Sequence, residues 1–323
     1  MKNLITSLFL LSLFQVSVYA QHSTVIDEEV LNVLHEAALN TGSDAVVILQ
    51  NDTLIAEWYF GQEKRPIEMM SVLKSIVSLG IGHLMLEDKI DSLDQPVYTF
   101  YPQWKQGRKQ EITIRHLLNH TSGLQNVSNA GTEIYPSPNA IKLALAAELE
   151  SDPGSKFSYN NKAVNLLAGI IKKASGQRMD QFFVSELFNP MGIEQYQWYF
   201  DESGNPHAMA GLRLFAQDLA KFGQLILNDG MWKGKQLVSE EYIETMLDQA
   251  QPYDSRFGLL WWRLLDDEKN VVAYYGDGYL GQTLLIVPEH NIVAVRQVAQ
   301  SNEYNSETDG FSEFKKLVLK LVK

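Results

Sequence analysis

Hydrophobic and polar positions divide the first part of the chain into short elements of different periodicity. Residues 25–41 carry apolar side chains on one side of a helical pattern. Two short apolar runs, 45–49 and 54–59, lie on either side of an Asn51-Asp52 turn and predict a pair of strands. Residues 71–86 are apolar around most of their circumference, so they predict a buried helix.

The rest of the chain changes from a helical pattern to an alternating one. Residues 88–228 are predicted as helices separated by proline-marked loops. A strand meander and a closing helix are predicted at 259–264, 271–275, 283–287, 292–298 and 314–322. Because strands lie towards both ends, we expect them to share one sheet. The predicted fold class is α+β: an antiparallel β-sheet flanked by helices, with an inserted helical subdomain at roughly 88–228.

The first twenty residues have the pattern of a signal peptide. Lys2 supplies a positive start, a short apolar run follows, and Val18 and Ala20 place small residues before a cleavage site at Gln21. We expect export to the periplasm or the outside of the cell, with residues 21–323 forming one domain. An uncleaved anchor is the alternative, and no stable membrane insertion is expected once residues 1–20 are removed.

Composition excludes several classes of function. The chain has a formal net charge of −12 and no cysteine. An acidic surface repels phosphate backbones, so we expect no nucleic-acid partner. Cysteine nucleophiles, disulfides and metal–thiolate sites are excluded. His116 and His120 have the spacing of a metal-binding helix but lack the glutamate between them, so structural hydrogen bonds are the favoured interpretation. We expect no metal and no organic cofactor.

A Ser-x-x-Lys tetrad opens the buried helix. Ser71 and Lys74 are three residues apart and therefore share a helical face. A buried amine has a lowered pKa, so Lys74 can take the proton of the serine hydroxyl. A second tetrad, Ser312 to Lys315, begins the last predicted helix, and its favoured interpretation is a solvated cap.

Tyr159 and Asn161 precede an apolar helix and are the next candidates. A tyrosine close to Lys74 could relay protons, and an asparagine could orient a substrate carbonyl and the lysine. A helix cap with a packed aromatic ring is the structural alternative. Trp261 and Trp262 alternate on a predicted strand, so at most one faces the core, and packing is the favoured role of the other.

The run from Gly276 to Gly281 matches the Gly-x-Gly-x-x-Gly pattern. A dinucleotide site needs a strand before this pattern and a helix after it, whereas Gln282–Val287 is predicted to continue as a strand. We therefore exclude a nucleotide site. A glycine-relieved edge strand, where a ligand approaches the backbone closely, is the better interpretation.

Taken in order, Ser71-x-x-Lys74, Tyr159-x-Asn161 and the glycine-bearing strand resemble the class C β-lactamase family, which also holds D-alanyl peptidases, carboxylesterases and 6-aminohexanoate-dimer hydrolases. The connecting phrases 112–124 and 211–223 resemble it too, and the resemblance covers roughly residues 40–300. It implies an acyl-enzyme on Ser71, with Lys74 and Tyr159 as base and acid. No Gly-x-Ser-x-Gly elbow occurs in the chain.

The third element departs from the family pattern. Its β-lactamase members carry Lys-Thr-Gly or His-Thr-Gly, where this chain has Gly276, Asp277 and Gly278. The cation for a substrate carboxylate is missing from this strand, which favours an ester or amide of a small molecule or peptide as substrate. The oxyanion is expected on the backbone N–H groups of Ser71 and Tyr279. A β-lactamase or D-alanyl-D-alanine peptidase, and a catalytically idle protein that binds cell-wall peptides, remain the alternatives.

Overall fold

The computed structural model describes residues 25–299 and 310–322, without the side chain of Phe311. The helices are α1 Glu28–Asn40, α2 Val72–Leu86, α3 Ile114–Leu118, α4 Ala130–Glu133, α5 Ala140–Ala146, α6 Asn161–Ser175, α7 Met179–Phe183, α8 Asn189–Met191, α9 Ala216–Leu227, α10 Glu240–Leu247 and α11 Phe311–Val318. The strands are β1 Ala45–Gln50, β2 Thr53–Trp58, β3 Ile67–Glu68, β4 Gln197–Trp198, β5 Leu212–Leu214, β6 Met231–Trp232, β7 Lys235–Gln236, β8 Trp262–Leu265, β9 Val271–Gly278, β10 Gln282–Val287 and β11 Ile292–Gln297.

A six-stranded sheet in the order β2-β1-β11-β10-β9-β8 forms the centre of the fold. Every neighbouring pair is antiparallel, and β1 lies beside β11, with Ala45 opposite Gln297 and Gln50 opposite Ile292. The two ends of the chain therefore share one sheet. This confirms the predicted fold class, an antiparallel sheet flanked by helices.

Helices cover both faces of this sheet. On one face α1 and α11 bury side chains such as Leu34 and Phe314 against strand residues such as Ile48. On the other face lie α2 and α9, followed outwards by the helical region. Helix α2 is buried at every position from Val72 to Leu84, as the continuous apolar run predicts. Its N-terminus is therefore fixed by contacts on all sides.

Some predicted boundaries differ from the structure. The predicted strand 259–264 begins only at Trp262, because Leu260 has a positive φ of 61° and donates its N–H to Leu118 O at 2.9 Å. The helical region also contains β4 and β5, which pair with β3 in a small sheet. The last helix starts at Phe311 rather than 314.

The predicted signal peptide lies outside the described residues. Within the described ranges, no helix is both long enough and apolar enough to cross a bilayer.

Candidate active site

Ser71 stands at the N-terminus of α2, on the edge of a cleft. It is the N-cap residue of the helix, and its side chain makes no capping hydrogen bond. The hydroxyl is therefore not used by the helix. Met70, immediately before it, has a positive φ of 49°, a conformation that is strained for a residue with a side chain. The backbone thus turns sharply just before Ser71, which is partly exposed.

Lys74 lies one helical turn further on and is brought against Ser71, as its spacing predicts. Its Nζ is 2.8 Å from Ser71 Oγ and 2.8 Å from Met209 O. The side chain is almost completely buried, and this desolvation lowers the pKa of Lys74 to about 7. A neutral amine can donate to the Met209 carbonyl and accept the proton of the Ser71 hydroxyl at once.

The Met209 carbonyl is a partner of Lys74 that the sequence does not reveal. The buried Asn165 of α6 accepts the backbone N–H of Ala208 at 2.9 Å, which fixes the loop that carries Met209. A neutral carbonyl orients the Lys74 amine without a counter-charge that would keep it protonated.

Tyr159 is the third predicted residue at this site. The Lys74 amine lies 5.1 Å from the centre of its ring. The ring is held between His120, at 4.4 Å, and Trp262, which stacks on it at 6.5 Å. Desolvation raises the pKa of Tyr159 to about 12; a hydrogen bond with Ser71 opposes this rise and the charge of Asp277 adds to it. Its hydroxyl is therefore a proton donor at neutral pH.

The two histidines of the spaced pair make structural hydrogen bonds. His116 Nδ1 accepts the N–H of Thr113 at 3.3 Å in a capping box of α3. His120 Nδ1 accepts the N–H of Asn160 at 3.1 Å. Burial and the nearby Lys74 amine hold the pKa of His120 well below its usual range, so the ring is neutral. No group of three metal-ligating side chains occurs among the residues that the structure describes.

Asn161 is the first residue of α6 and is buried. No hydrogen bond joins it to Lys74 in the described structure, and its buried Oδ1 has no partner there. The neighbouring Asn160 is the capping residue, since its Oδ1 accepts the N–H of Ala163 at 2.9 Å. The capping role considered for this segment thus belongs to Asn160.

The glycine-bearing strand packs directly against the start of α2. A Cβ on Gly276 would lie 2.7 Å from Ser75 Oγ, and a Cβ on Gly278 would lie 2.6 Å from Met69 O and 3.0 Å from Ser71 N. These distances are too short for any side chain. Both glycines are therefore required for the strand to approach the helix.

Strand β9 is second from the edge of the sheet, which corrects the interpretation as an edge strand. Its pairing with β8 ends at Tyr275, so residues 276–278 extend beyond their neighbour and face the cleft on that side. The backbone of Tyr279 follows directly, and the Tyr279 side chain is exposed. This brings the N–H groups of Ser71 and Tyr279 to the same end of the cleft.

Among the described residues, Thr283 and Lys315 hold Asp277 from two different elements. Asp277 accepts a hydrogen bond from Thr283 Oγ1 at 2.9 Å, and its Oδ2 lies 2.5 Å from Lys315 Nζ of α11. Lys315 is nine-tenths buried, whereas the N-cap of this helix is Gly310. The expected solvated cap at Ser312 is therefore wrong, because docking of α11 on the sheet buries the lysine.

These side chains surround a narrow cavity, which opens into the cleft beside Gly278 and Tyr279. Its walls are formed by Ser71, Lys74, Ser75, His120, Tyr159, Phe257, Leu260, Trp262 and Asp277. Trp261 is buried in the core while Trp262 lines the cavity, so Trp262 contributes to the site as well as to packing. Ser71, Lys74, Tyr159 and Asp277 thus meet at one place, and Asn161 lies outside the cavity wall.

An antiparallel sheet whose glycine-bearing strand borders a buried Ser-x-x-Lys helix is the architecture of β-lactamases and penicillin-binding proteins. A solved penicillin-binding protein from Bacillus halodurans shares this fold, with a TM-score of 0.72 at 18% identity over 88% of this chain and 99% of that one. The chain belongs to the Beta-lactamase family, whose model matches residues 35–311.

Two curated relatives are hydrolases by name. The 6-aminohexanoate-dimer hydrolase of Paenarthrobacter ureafaciens is 25% identical over 296 residues, which cover 81% of this chain and 74% of that protein. Esterase EstB of Burkholderia gladioli is 27% identical over 151 residues, which cover 41% of this chain and 38% of that protein. The similarity therefore places the chain among hydrolases of the β-lactamase fold.

Proposed function

We propose that this protein is a serine hydrolase that cleaves small esters or amides through an acyl-enzyme on Ser71. The observation that carries the proposal is the 2.8 Å approach of the buried Lys74 amine to Ser71 Oγ. A lysine whose pKa is lowered to about 7 by burial is a base at neutral pH. The names of the esterase and amide-hydrolase relatives support the substrate class.

The reaction then runs in two halves. Lys74 accepts the hydroxyl proton as Ser71 Oγ attacks the substrate carbonyl carbon, and the oxyanion is held by the backbone N–H groups of Ser71 and Tyr279. The tetrahedral adduct collapses, and the leaving alcohol or amine receives a proton from Tyr159, which regains one from the Lys74 ammonium. Water attacks the acyl-enzyme with the same groups in reverse roles and releases the acid. Gly276 and Gly278 keep the strand close enough for substrate to lie along it.

The acid at position 277, where β-lactamase members bind a substrate carboxylate with a cation nearby, favours uncharged substrates over β-lactams. Each charge-assisted hydrogen bond lost to a substrate carboxylate costs about 1.5–3 kcal/mol, or roughly 10- to 100-fold in rate. We expect kcat/KM for a small phenyl ester to exceed that for penicillins and cephalosporins by at least this factor. A higher kcat/KM for a cephalosporin would make a β-lactamase the better assignment.

Covalent labelling tests the nucleophile. Intact mass after exposure to a fluorophosphonate is expected to show one adduct, which peptide mapping places on Ser71. The Ser71→Ala variant is expected to remain unlabelled. Ser312→Ala is the matched control, because it removes the serine of the other Ser-x-x-Lys tetrad. Wild type that folds but is never labelled would instead identify a binding protein.

We also propose that the protein acts after export, to the periplasm or outside the cell. The basis is the positive start and small-residue cleavage site in residues 1–20. N-terminal sequencing of exported material is expected to begin at Gln21. A mature protein that keeps Met1 would contradict cleavage at this site.

A further inference from the structure

Helix α11 places a buried lysine, Lys315, against Asp277, which lines the active-site cleft. Lys315 is nine-tenths buried, while Glu313 and Lys316 on the same helix are exposed. Its Nζ lies 2.5 Å from Asp277 Oδ2 and 4.1 Å from the centre of the Tyr275 ring. A buried ammonium is costly unless a carboxylate compensates it, so this pair fixes both partners.

The same pair is continuous with the reacting groups. Asp277 lines the cavity that contains Ser71 and Lys74. From Tyr275, stacked rings continue to Trp262 at 6.3 Å and from Trp262 to Tyr159 at 6.5 Å. The carboxylate thus stands at the cavity wall with the catalytic groups on one side and the Lys315 cation on the other.

We propose that Lys315 is a positioning residue of the active site, which holds the Asp277 carboxylate at the cavity wall and offsets its negative charge beside the reacting groups. This inference rests on the proposed hydrolase function. In β-lactamase members of the family a cation belongs to the strand itself. Here the cation comes from the C-terminal helix and is directed at an acid.

The electrostatic consequence has a definite sign. An uncompensated carboxylate at 277 favours the protonated Lys74 amine, which leaves less of the neutral base. It also raises the pKa of Tyr159 further, which makes its hydroxyl a weaker acid. The charge of Asp277 already contributes to the raised pKa of Tyr159. Among the described residues, the other titratable groups beside this pair are His120, whose neutral ring adds no charge, and Tyr275. Burial and the charge of Asp277 raise the pKa of Tyr275, with smaller opposing contributions from Arg256 and Asp254.

The test follows the Lys74 amine directly. Protein labelled with ¹³C at lysine Cε is titrated by NMR, and the Lys74 resonance is assigned by its loss in Lys74→Ala. In Lys315→Met the Lys74 inflection is expected to rise by about half to one pH unit, and in Asp277→Asn to fall by about as much. The double variant is expected to return close to wild type. Turnover at pH 7 should fall about 2- to 5-fold in Lys315→Met, because a smaller fraction of Lys74 is neutral, and Lys315→Arg should retain the wild-type inflection.

Lys316→Met is the matched control, because it removes the same charge from an exposed position of the same helix. A Lys315→Met protein that melts earlier but keeps the wild-type inflection would overturn the proposal and leave a structural tether. If Lys315→Met does not fold, Asp277→Asn decides, since an inflection that stays in place or rises contradicts the proposal. The NMR titration needs no turnover, so it is read separately from labelling of Ser71, on which the proposed function depends.

Discussion

Two helices of this protein each carry a buried lysine in their first turn, and the two lysines have opposite surroundings. Lys74 of α2 is 2% exposed and Lys162 of α6 is 3% exposed. Lys162 Nζ lies 2.6 Å from Glu133 Oε2. In the part of the chain that the structure describes, no carboxylate pairs with Lys74, whose partners are the Ser71 hydroxyl and the Met209 carbonyl.

The difference between Lys74 and Lys162 shows that burial alone does not determine whether a lysine is charged. Burial next to a carboxylate keeps a lysine charged and turns it into a fixed half of an ion pair. Burial next to neutral oxygens alone favours the neutral amine. The neutral partners of Lys74 therefore matter as much as its depth, and they distinguish a base from a structural cation.

The largest expected effect is loss of the base. Lys74→Arg keeps the positive charge but cannot give up a proton near neutral pH, so kcat/KM is expected to fall about 10²- to 10⁴-fold. Lys162→Arg keeps its pairing with Glu133 and should stay within a few-fold of wild type. Ester hydrolysis is measured alongside circular dichroism to confirm folding. A folded Lys74→Arg enzyme with near-normal turnover would falsify the Ser–Lys mechanism.

Stability is expected to change in opposite directions at the two lysines. The pKa of Lys74 is about 7 in the folded chain and about 10.4 when unfolded, so the unfolded state binds more protons between these values. The penalty is full below about pH 7 and disappears above about 10.4. At pH 7, Lys74→Met should raise the free energy of unfolding by about 2–4 kcal/mol, less the lost hydrogen bond.

Lys162→Met completes this comparison. It leaves Glu133 partly buried without its cation, which should cost about 1–3 kcal/mol. Urea unfolding of both variants at pH 7 and pH 10 measures the effect, and the gain in Lys74→Met should shrink at the higher pH. Equal destabilisation by both substitutions would mean that Lys74 is also a paired cation.

The last expected effect concerns the pH dependence of kcat/KM, whose acidic limb should follow the ionisation of Lys74. If the neutral Lys74 amine is the base, as proposed, kcat/KM should rise about tenfold per pH unit up to about pH 7 and then level off. The limb should be unchanged in Lys162→Arg. A rate that is flat from pH 5 to 8 would contradict an ionising lysine.

The sequence was most informative where local spacing alone determines geometry. A separation of three positions along a helix places Lys74 beside Ser71. The continuous apolar run of α2 predicts that this helix, including Lys74, is buried. Tyr159 also reaches the same cavity. Alternating patterns in the C-terminal part indicated the sheet, although the first of these strands begins only at Trp262.

Contacts between distant segments could not be predicted in this way. Polar neighbours made Lys315 resemble a surface residue, and only docking of α11 on the sheet buries it against Asp277. The Met209 carbonyl is a backbone atom that any residue type would supply. The sequence suggests that glycine at 276 lets a ligand approach the backbone. The structure shows a stronger constraint, because a Cβ at this position would lie 2.7 Å from Ser75 Oγ. A lysine placed there to mimic β-lactamases would therefore collide with the Ser75 hydroxyl, which donates to Leu260 O.

The pairing of β1 with β11 has a consequence for the order in which the protein can fold. Strand β1 pairs with β11, which lies almost 250 residues later in the sequence, with Ala45 opposite Gln297. Such a distant contact closes a long loop, which slows folding. During synthesis the hairpin of β1 and β2 cannot join the sheet until β11 has been made, and α11 follows β11 in the sequence. The cavity that contains Ser71 and Lys74 is therefore completed by contacts from a helix about 240 residues further along the chain, since Lys315 of α11 pairs with Asp277.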